Sequence, residues 1–369
     1  MRSQRGRGFN RRDFLKGVGW GVFGAAALGR DLVAGGARGT SGLGGKLPAG
    51  GQASSLPRCG RELYGAVEGT ATVSLVKGSD RRAIVHRSLK AIEDDVFAAI
   101  GNKRVMVKPN VCVDKKPLAV THVDAVRAVL DVLTPRVKTP ILIAESGVFN
   151  TFDGYKNNGY LPLEKEYNCR LVDLNAGETR YHYVFNKDNE PQPVRLVAPF
   201  LDPGLFIISV ARMKTHSEVV VTLALKNLIM AAPIQDYKKS DKGFMHQGPY
   251  TPNQILHFNL FHIAQKVYPD LAVIDGFESM EGDGPAWGTP FDSRVAIASL
   301  DALAADVVGT TVMGFDPQKI LYLSAMTKAG MGQGDMAKIR VLGTPLDQCL
   351  YKFKPHKHVA EVYNLGTQY

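Results

Sequence analysis

Leu205-Phe206-Ile207-Ile208-Ser209-Val210 is a short apolar run rich in branched side chains, and it passes directly into Ala211-Arg212-Met213-Lys214-Thr215-His216, where every second residue is basic. Six residues, five of them apolar, are too few for a globular helix and suit a strand buried on both faces, so the run predicts a strand over Leu205 to Val210. Working outward, Thr70–Val76, Arg104–Val107, Ile141–Ala144, Arg170–Leu174, Leu271–Ile274 and Val295–Ser299 share that character. Between them apolar residues recur at helical spacing, as Ile84, Leu89, Ile92, Val96 and Ile100 do within Arg81–Ile100. Further helices are expected over Asp124–Leu133, Glu218–Met230, Pro252–Val267, Asp301–Met313 and Pro317–Thr327. The alternation predicts an α/β fold, a layered sandwich with a mainly parallel or mixed sheet.

In such sheets ligands bind beyond the carboxyl ends of the strands, where loops converge. Here those ends are polar: Lys108-Pro109-Asn110, Glu145-Ser146-Gly147, Asp173 with Asn175, Arg212 to His216, and Asp275-Gly276. Lys108, Asn110, Glu145, Lys214, His216 and Asp275 are therefore expected to line one pocket. Lysines supply point charge, histidine moves a proton or binds metal near neutral pH, and carboxylates accept protons or coordinate a cation. Taken singly, each has a plainer reading. Lys108 could solvate the Pro109 turn, and Glu145 or Ser146 could cap the next helix. Thr215 or Ser217 is placed as the cap of the helix after Lys214 and His216. Lys226 and Asn227 read as a solvated helical surface, Lys238, Lys239, Lys242 and His246 as an exposed loop, and Glu278, Glu281 and Asp283 as acids on a flexible glycine loop.

The chain has 369 residues, 45% of them hydrophobic, and a formal charge of +10. Nine basic residues and only Asp13 and Asp31 fall in positions 1 to 50, leaving 36 basic against 33 acidic side chains in the remainder. That near balance lacks the concentrated cationic face that nucleic-acid binding requires. Asn10-Arg11-Arg12-Asp13-Phe14-Leu15-Lys16 precedes the weakly apolar run Gly17 to Leu28, which is too short to span a bilayer. This leader resembles a twin-arginine (Tat) export signal, which implies recognition by the twin-arginine export machinery and a periplasmic or otherwise exported protein. Residues 1–34 are assigned to the signal, 35–57 to a flexible Gly/Ser-rich linker and 58–369 to a single α/β domain with its core at 70–315. No permanent membrane span is expected.

Beyond the leader, Val107-Lys108-Pro109-Asn110, Thr121-His122, Ala144-Glu145-Ser146-Gly147, Ala211 to His216, Leu225-Lys226-Asn227, Ile274-Asp275-Gly276, Met280 to Pro285 and Asp301 to Asp306 follow one another in order. Together they resemble the bacterial and archaeal domain of unknown function 362 family, over roughly residues 70 to 315. Members frequently carry a separate ferredoxin-like module, but Cys59, Cys112, Cys169 and Cys349 have no CxxC spacing. No iron–sulfur cluster is expected from this chain alone; the identity of any other cofactor or metal stays open, as does disulfide pairing. The expected function is that of an exported, cofactor- or metal-dependent enzyme acting on a small anionic substrate, a nickel-dependent racemase-type reaction being one analogy. The alternative is a non-catalytic periplasmic protein that binds a small ligand or cofactor. Nucleophile-elbow, P-loop, HExxH and GxGxxG motifs are lacking.

Overall fold

Strands buried on both faces and helices with one apolar side leave few ways to assemble, and the computed structural model adopts the layered α/β arrangement. It describes residues 69–113, 115–236, 240–246 and 253–366, all within the unit Leu56–Asp236 and Ser240–Tyr369. The expected export signal and linker and Cys59 lie outside the described residues. The chain builds β1 (Ala71–Lys77), α1 (Arg81–Lys90), α2 (Glu93–Ile100), β2 (Arg104–Pro109), α3 (Val123–Leu133), β3 (Ile141–Glu145), α4 (Thr151–Asn157), α5 (Leu163–Glu166) and β4 (Cys169–Asp173). A hairpin of β5 (Thr179–Phe185) and β6 (Pro191–Val197) precedes β7 (Leu205–His216), β8 (Val220–Thr222), α6 (Ala224–Ile229) and α7 (Gln254–Ala264). Then come β9 (Leu271–Glu281), β10 (Thr289–Phe291), β11 (Val295–Ser299), α8 (Ala302–Val312), α9 (Leu321–Lys328), β12 (Ile339–Gly343) and α10 (Val359–Gly366).

The main sheet runs β12-β1-β11-β9-β7-β2-β3-β4, with β8 added to β7 and β10 to β9. Along that path only β11 is antiparallel to its neighbours, so β2, β3, β4, β7 and β9 end at one edge. Alternate strand residues serve two apolar layers. Val107, Ile143, Ile208 and Val273 pack with Ile84, Leu89, Val126 and Val129 of α1 and α3. Met106, Ala144, Ile207 and Ile274 pack with Leu225, Leu228, Leu260 and Val308 of α6 to α8.

Several boundaries differ from the sequence reading, each for a physical reason. The helix expected over Arg81–Ile100 is two: Ile92 turns into the core while Glu93, Asp94 and Asp95 place three acids at a new helix N-terminus, where the dipole favours them. The segment Glu218–Met230 is a turn, then β8, then the short α6; the region after His216 is a hairpin, so Thr215 and Ser217 cap no helix. β7 is 12 buried residues long and runs through Arg212, Lys214 and His216, past the expected strand end at Val210. β9 likewise extends to Glu281, beside a register shift opposite Arg212 and Lys214 that admits extra residues. The β5–β6 hairpin and β12 were not anticipated. No described helix is long and apolar enough to cross a membrane.

The glycine segment after β9 is not a loose loop. It crosses the end of β7, with Thr215 Oγ1 donating to Gly282 O at 3.0 Å. A Cβ on Gly284 would lie 2.0 Å from Thr215 O. Gly284→Ala should therefore force the two segments apart and cost about 1–3 kcal/mol, seen as a lowered melting temperature with secondary structure retained at 25 °C. An unchanged melting temperature would show that the contact is not required.

Candidate functional site

The carboxyl edge of the sheet gathers the expected residues, but on both of its faces rather than in one pocket. Lys108 ends β2 on the α6 side, where its Nζ lies 3.1 Å from Glu145 Oε2 and donates to Asn227 Oδ1 at 2.7 Å. Glu145 is not a helix cap: it also accepts Val111 N at 2.7 Å and Ser146 N at 2.8 Å, and Asn150 caps α4 instead. The pair thus ties the turns after β2 and β3 together, and its lone pairs and protons are largely committed. Asn110 donates its backbone N–H to Thr121 Oγ1, whose hydroxyl donates to Val210 O, and its side-chain oxygen receives the Cys112 thiol at 3.0 Å.

Asp275 belongs to the opposite face. It alternates with Ile274, so it meets Arg81 of α1, with Nε 3.2 Å from Oδ2, and accepts Phe277 N. Arg212 also faces that side and donates to Val120 O and Glu278 O, both at 2.7 Å. Lys214 donates to Ala119 O at 2.7 Å beneath the turn that follows β2. The acids of the glycine segment do not converge: Glu278 pairs with Arg212 and Arg81, and Glu281 accepts Lys354 N. Among the described residues no set of three or more His, Cys, Asp or Glu side chains is placed to hold a metal ion. Cys112, Cys169 and Cys349 are free thiols.

Two lysines read from sequence as exposed are buried here. Lys242 donates to Ser146 Oγ at 2.9 Å and Pro233 O at 2.7 Å, with Met230 O and Ala231 O at 3.1 and 3.3 Å. Burial pulls its pKa down to about 7, the Glu145 charge opposing the fall and the Lys108 charge adding to it. Lys226 is different. It is 6% exposed on α6, yet its side chain makes no hydrogen bond or ion pair with a described residue. Burial lowers its pKa to about 8, Glu218 opposing and the charges of Lys214 and Lys108 adding to the fall. Lys214 falls to about 8 as well, chiefly by burial.

The turn after β7 supplies the neighbouring groups. His216, 3% exposed, accepts Glu218 N at its Nδ1, so the neutral ring carries its proton on Nε2, which has no described partner. Burial first, and then the Lys226 charge, drive its pKa well below the usual value and keep the ring neutral at pH 7. Burial raises the Glu218 carboxyl, but His246 and Asn253 at its oxygens, with Lys226 nearby, outweigh that and leave it below the usual range. His257 accepts Tyr322 N at Nδ1, and its Nε2–H donates to Glu218 O, fixing the turn from beneath. Val220, directly after it, has φ +66°, rare for a branched residue and a local strain beside the site.

α6 itself is anchored by Asp306, whose carboxylate accepts Ala224 N at 2.9 Å and Leu225 N at 3.1 Å. The sequence did contain a sign of this burial. Leu223-Ala224-Leu225-Lys226-Asn227-Leu228-Ile229-Met230 is apolar on every side of Lys226 and Asn227, the pattern of a helix enclosed all round. Chemically, the α6 side of the edge offers converging positive charge, a neutral imidazole N–H, one amine with no partner and an ionised carboxylate.

The paired and unpaired lysines separate in a mutant test. Lys108→Met strands a buried carboxylate and should cost roughly 3–5 kcal/mol, while adding Glu145→Gln should return much of that loss. Denaturant unfolding of the two single variants and the double variant measures this coupling; strictly additive losses would contradict the ion pair.

The sequence matches the family described as a domain of unknown function (DUF362) over residues 105–311. It is also 27% identical over 231 residues to a thylakoid-associated protein of Synechocystis sp., covering 62% of this chain and 68% of the relative. Among solved structures it is similar to the lactate racemase apoprotein from Thermoanaerobacterium thermosaccharolyticum, with 14% identity, a TM-score of 0.40, and coverage of 67% of this chain and 58% of that one. A protein from Thermotoga maritima gives 12% identity and a TM-score of 0.35, over 56% of this chain and 52% of the other. The chain spans little more than half of either solved chain. The DUF362 match covers more than half of this chain and includes the ends of β2, β3, β7 and β9: the chain belongs to the DUF362 family.

Proposed function

We propose that the protein binds a small organic anion at the α6 side of the sheet edge and acts on it as an enzyme. The observation that carries this is a pair of largely buried residues, Lys226 and His216, whose Nζ and Nε2 have no hydrogen-bond partner among the described residues, close to the charges of Lys214 and Lys108. A largely buried ammonium with no protein acceptor favours an incoming carboxylate or phosphate, which would also meet the Lys214 charge. The neutral His216 donates its Nε2–H to the same ligand and fixes its orientation. Glu218, ionised and adjacent, is the group placed to accept a proton, and the amines near pH 8 are tuned for proton transfer. These features favour turnover over simple retention.

Phosphate, acetate, lactate and pyruvate are suitable probes. At pH 7 at least one should raise the melting temperature of the intact chain, and Lys226→Met and His216→Ala should abolish that shift. Lys226→Met should leave the ligand-free melting temperature unchanged or higher, because it replaces an unpartnered cation with an apolar side chain of similar length. Anion affinity should fall as pH rises through about 8, where Lys226 and Lys214 lose their protons. Anion-induced shifts that survive both substitutions would overturn the reading.

We further propose that residues 1–34 direct export by the twin-arginine route, on the strength of Arg11-Arg12 followed by the weakly apolar run. Replacing both arginines with lysine should leave precursor in the cytoplasm of the native cell. Normal export of that variant would refute this.

A further inference from the structure

The four buried lysines of the site are not equivalent, and the difference points to a substrate class. Lys108 is held by Glu145 and Asn227, Lys242 sits in a cage of oxygens, and Lys214 donates to Ala119 O. Each of these directs its N–H groups at protein acceptors. Lys226 has no such acceptor, and its nitrogen is the one whose lone pair the fold leaves uncommitted. Resting on the anion-site reading above, we propose that Lys226 is a nucleophile toward a carbonyl carbon, and that the anion is a small oxo acid held as a Schiff base. Its carboxylate would meet the cations at the site, and its carbonyl oxygen would face the His216 Nε2–H.

The step balances without any further reactant. Neutral Lys226 Nζ adds through its lone pair to the carbonyl carbon, and the C=O π electrons move to oxygen. A proton from the adding nitrogen completes the hydroxyl of the carbinolamine. Protonated by the proton that Lys226 released on becoming neutral, that hydroxyl leaves as water, and the nitrogen lone pair forms the C=N bond. The sum is one ammonium and one carbonyl giving one protonated imine and one water, with no oxidant or reductant. Hydrogen bonding from His216 polarises the carbonyl, and burial keeps part of the Lys226 population neutral near pH 8, which the addition requires.

Trapping tests this on the full chain. With pyruvate or glyoxylate and sodium cyanoborohydride at pH 7.5, intact mass should show one reduced adduct per chain, and peptide mapping should place it on Lys226. Acetate and lactate, which lack a ketone or aldehyde, should give no adduct and should slow trapping by competition. Lys226→Arg, which keeps the charge, should retain the anion-induced melting shift and lose the adduct. If wild-type protein shows the anion-induced shift but no adduct, or an adduct spread over other lysines, the nucleophile assignment fails while the anion site stands. If no anion shifts the melting temperature, both fail.

Discussion

A lysine ammonium taken out of water must meet oxygen lone pairs or release its proton, and the sheet edge is organised by how each buried lysine meets that condition. Lys108 is met by a carboxylate and an amide, Lys242 by a ring of carbonyls and one hydroxyl, Lys214 by a single carbonyl, and Lys226 by nothing on the described chain. The first two are struts. Lys108 with Glu145 joins the turns after β2 and β3, and Lys242 fastens the segment after α6 to Ser146.

β7 makes this arrangement possible. It lies between β2 and β9 at the centre of the sheet and runs several residues beyond the parallel pairing with β2, carrying Arg212, Lys214 and His216 out over the strand ends. The glycine segment packs against its end at Thr215, and β8 folds back from the strained turn at Val220. Beneath that turn, neutral His257 holds Glu218 O, and the Glu218 carboxylate pairs with His246 and Asn253. Asp306 fixes the start of α6 so that Lys226 and Asn227 enter the same space. Lys108, Lys214, His216 and Lys226 are therefore set on strands and on a helix fixed by Asp306, with Glu218 in the tight turn between β7 and β8.

Apolar runs such as Val295–Ser299 were readable because a strand buried on both faces needs uninterrupted apolar residues whatever surrounds it. The continuation of β7 was not readable, because Arg212 and Lys214 look like loop residues unless Val120 O and Ala119 O are already known to receive them. The same applies to Lys242, whose acceptors come from segments distant in sequence. Lys108, Asn110, Glu145, Lys214 and His216 lie at the carboxyl edge of the sheet because the ends of parallel strands share an edge by topology. Asp275 obeyed the rule for its edge, but its alternation with Ile274 sends it to the α1 face. Lys226 was passed over in favour of a solvated position although its neighbours on all sides were apolar.

The account stands or falls on the ionisation of Lys226. Nitrogen-15 NMR of lysine side chains, assigned by comparison with Lys226→Met and followed from pH 6 to 11, reads it directly. A Lys226 Nζ that titrates near 8 without ligand, and at higher pH once a small anion is bound, is the predicted result. A titration near 10.5 that ignores added anions would contradict it.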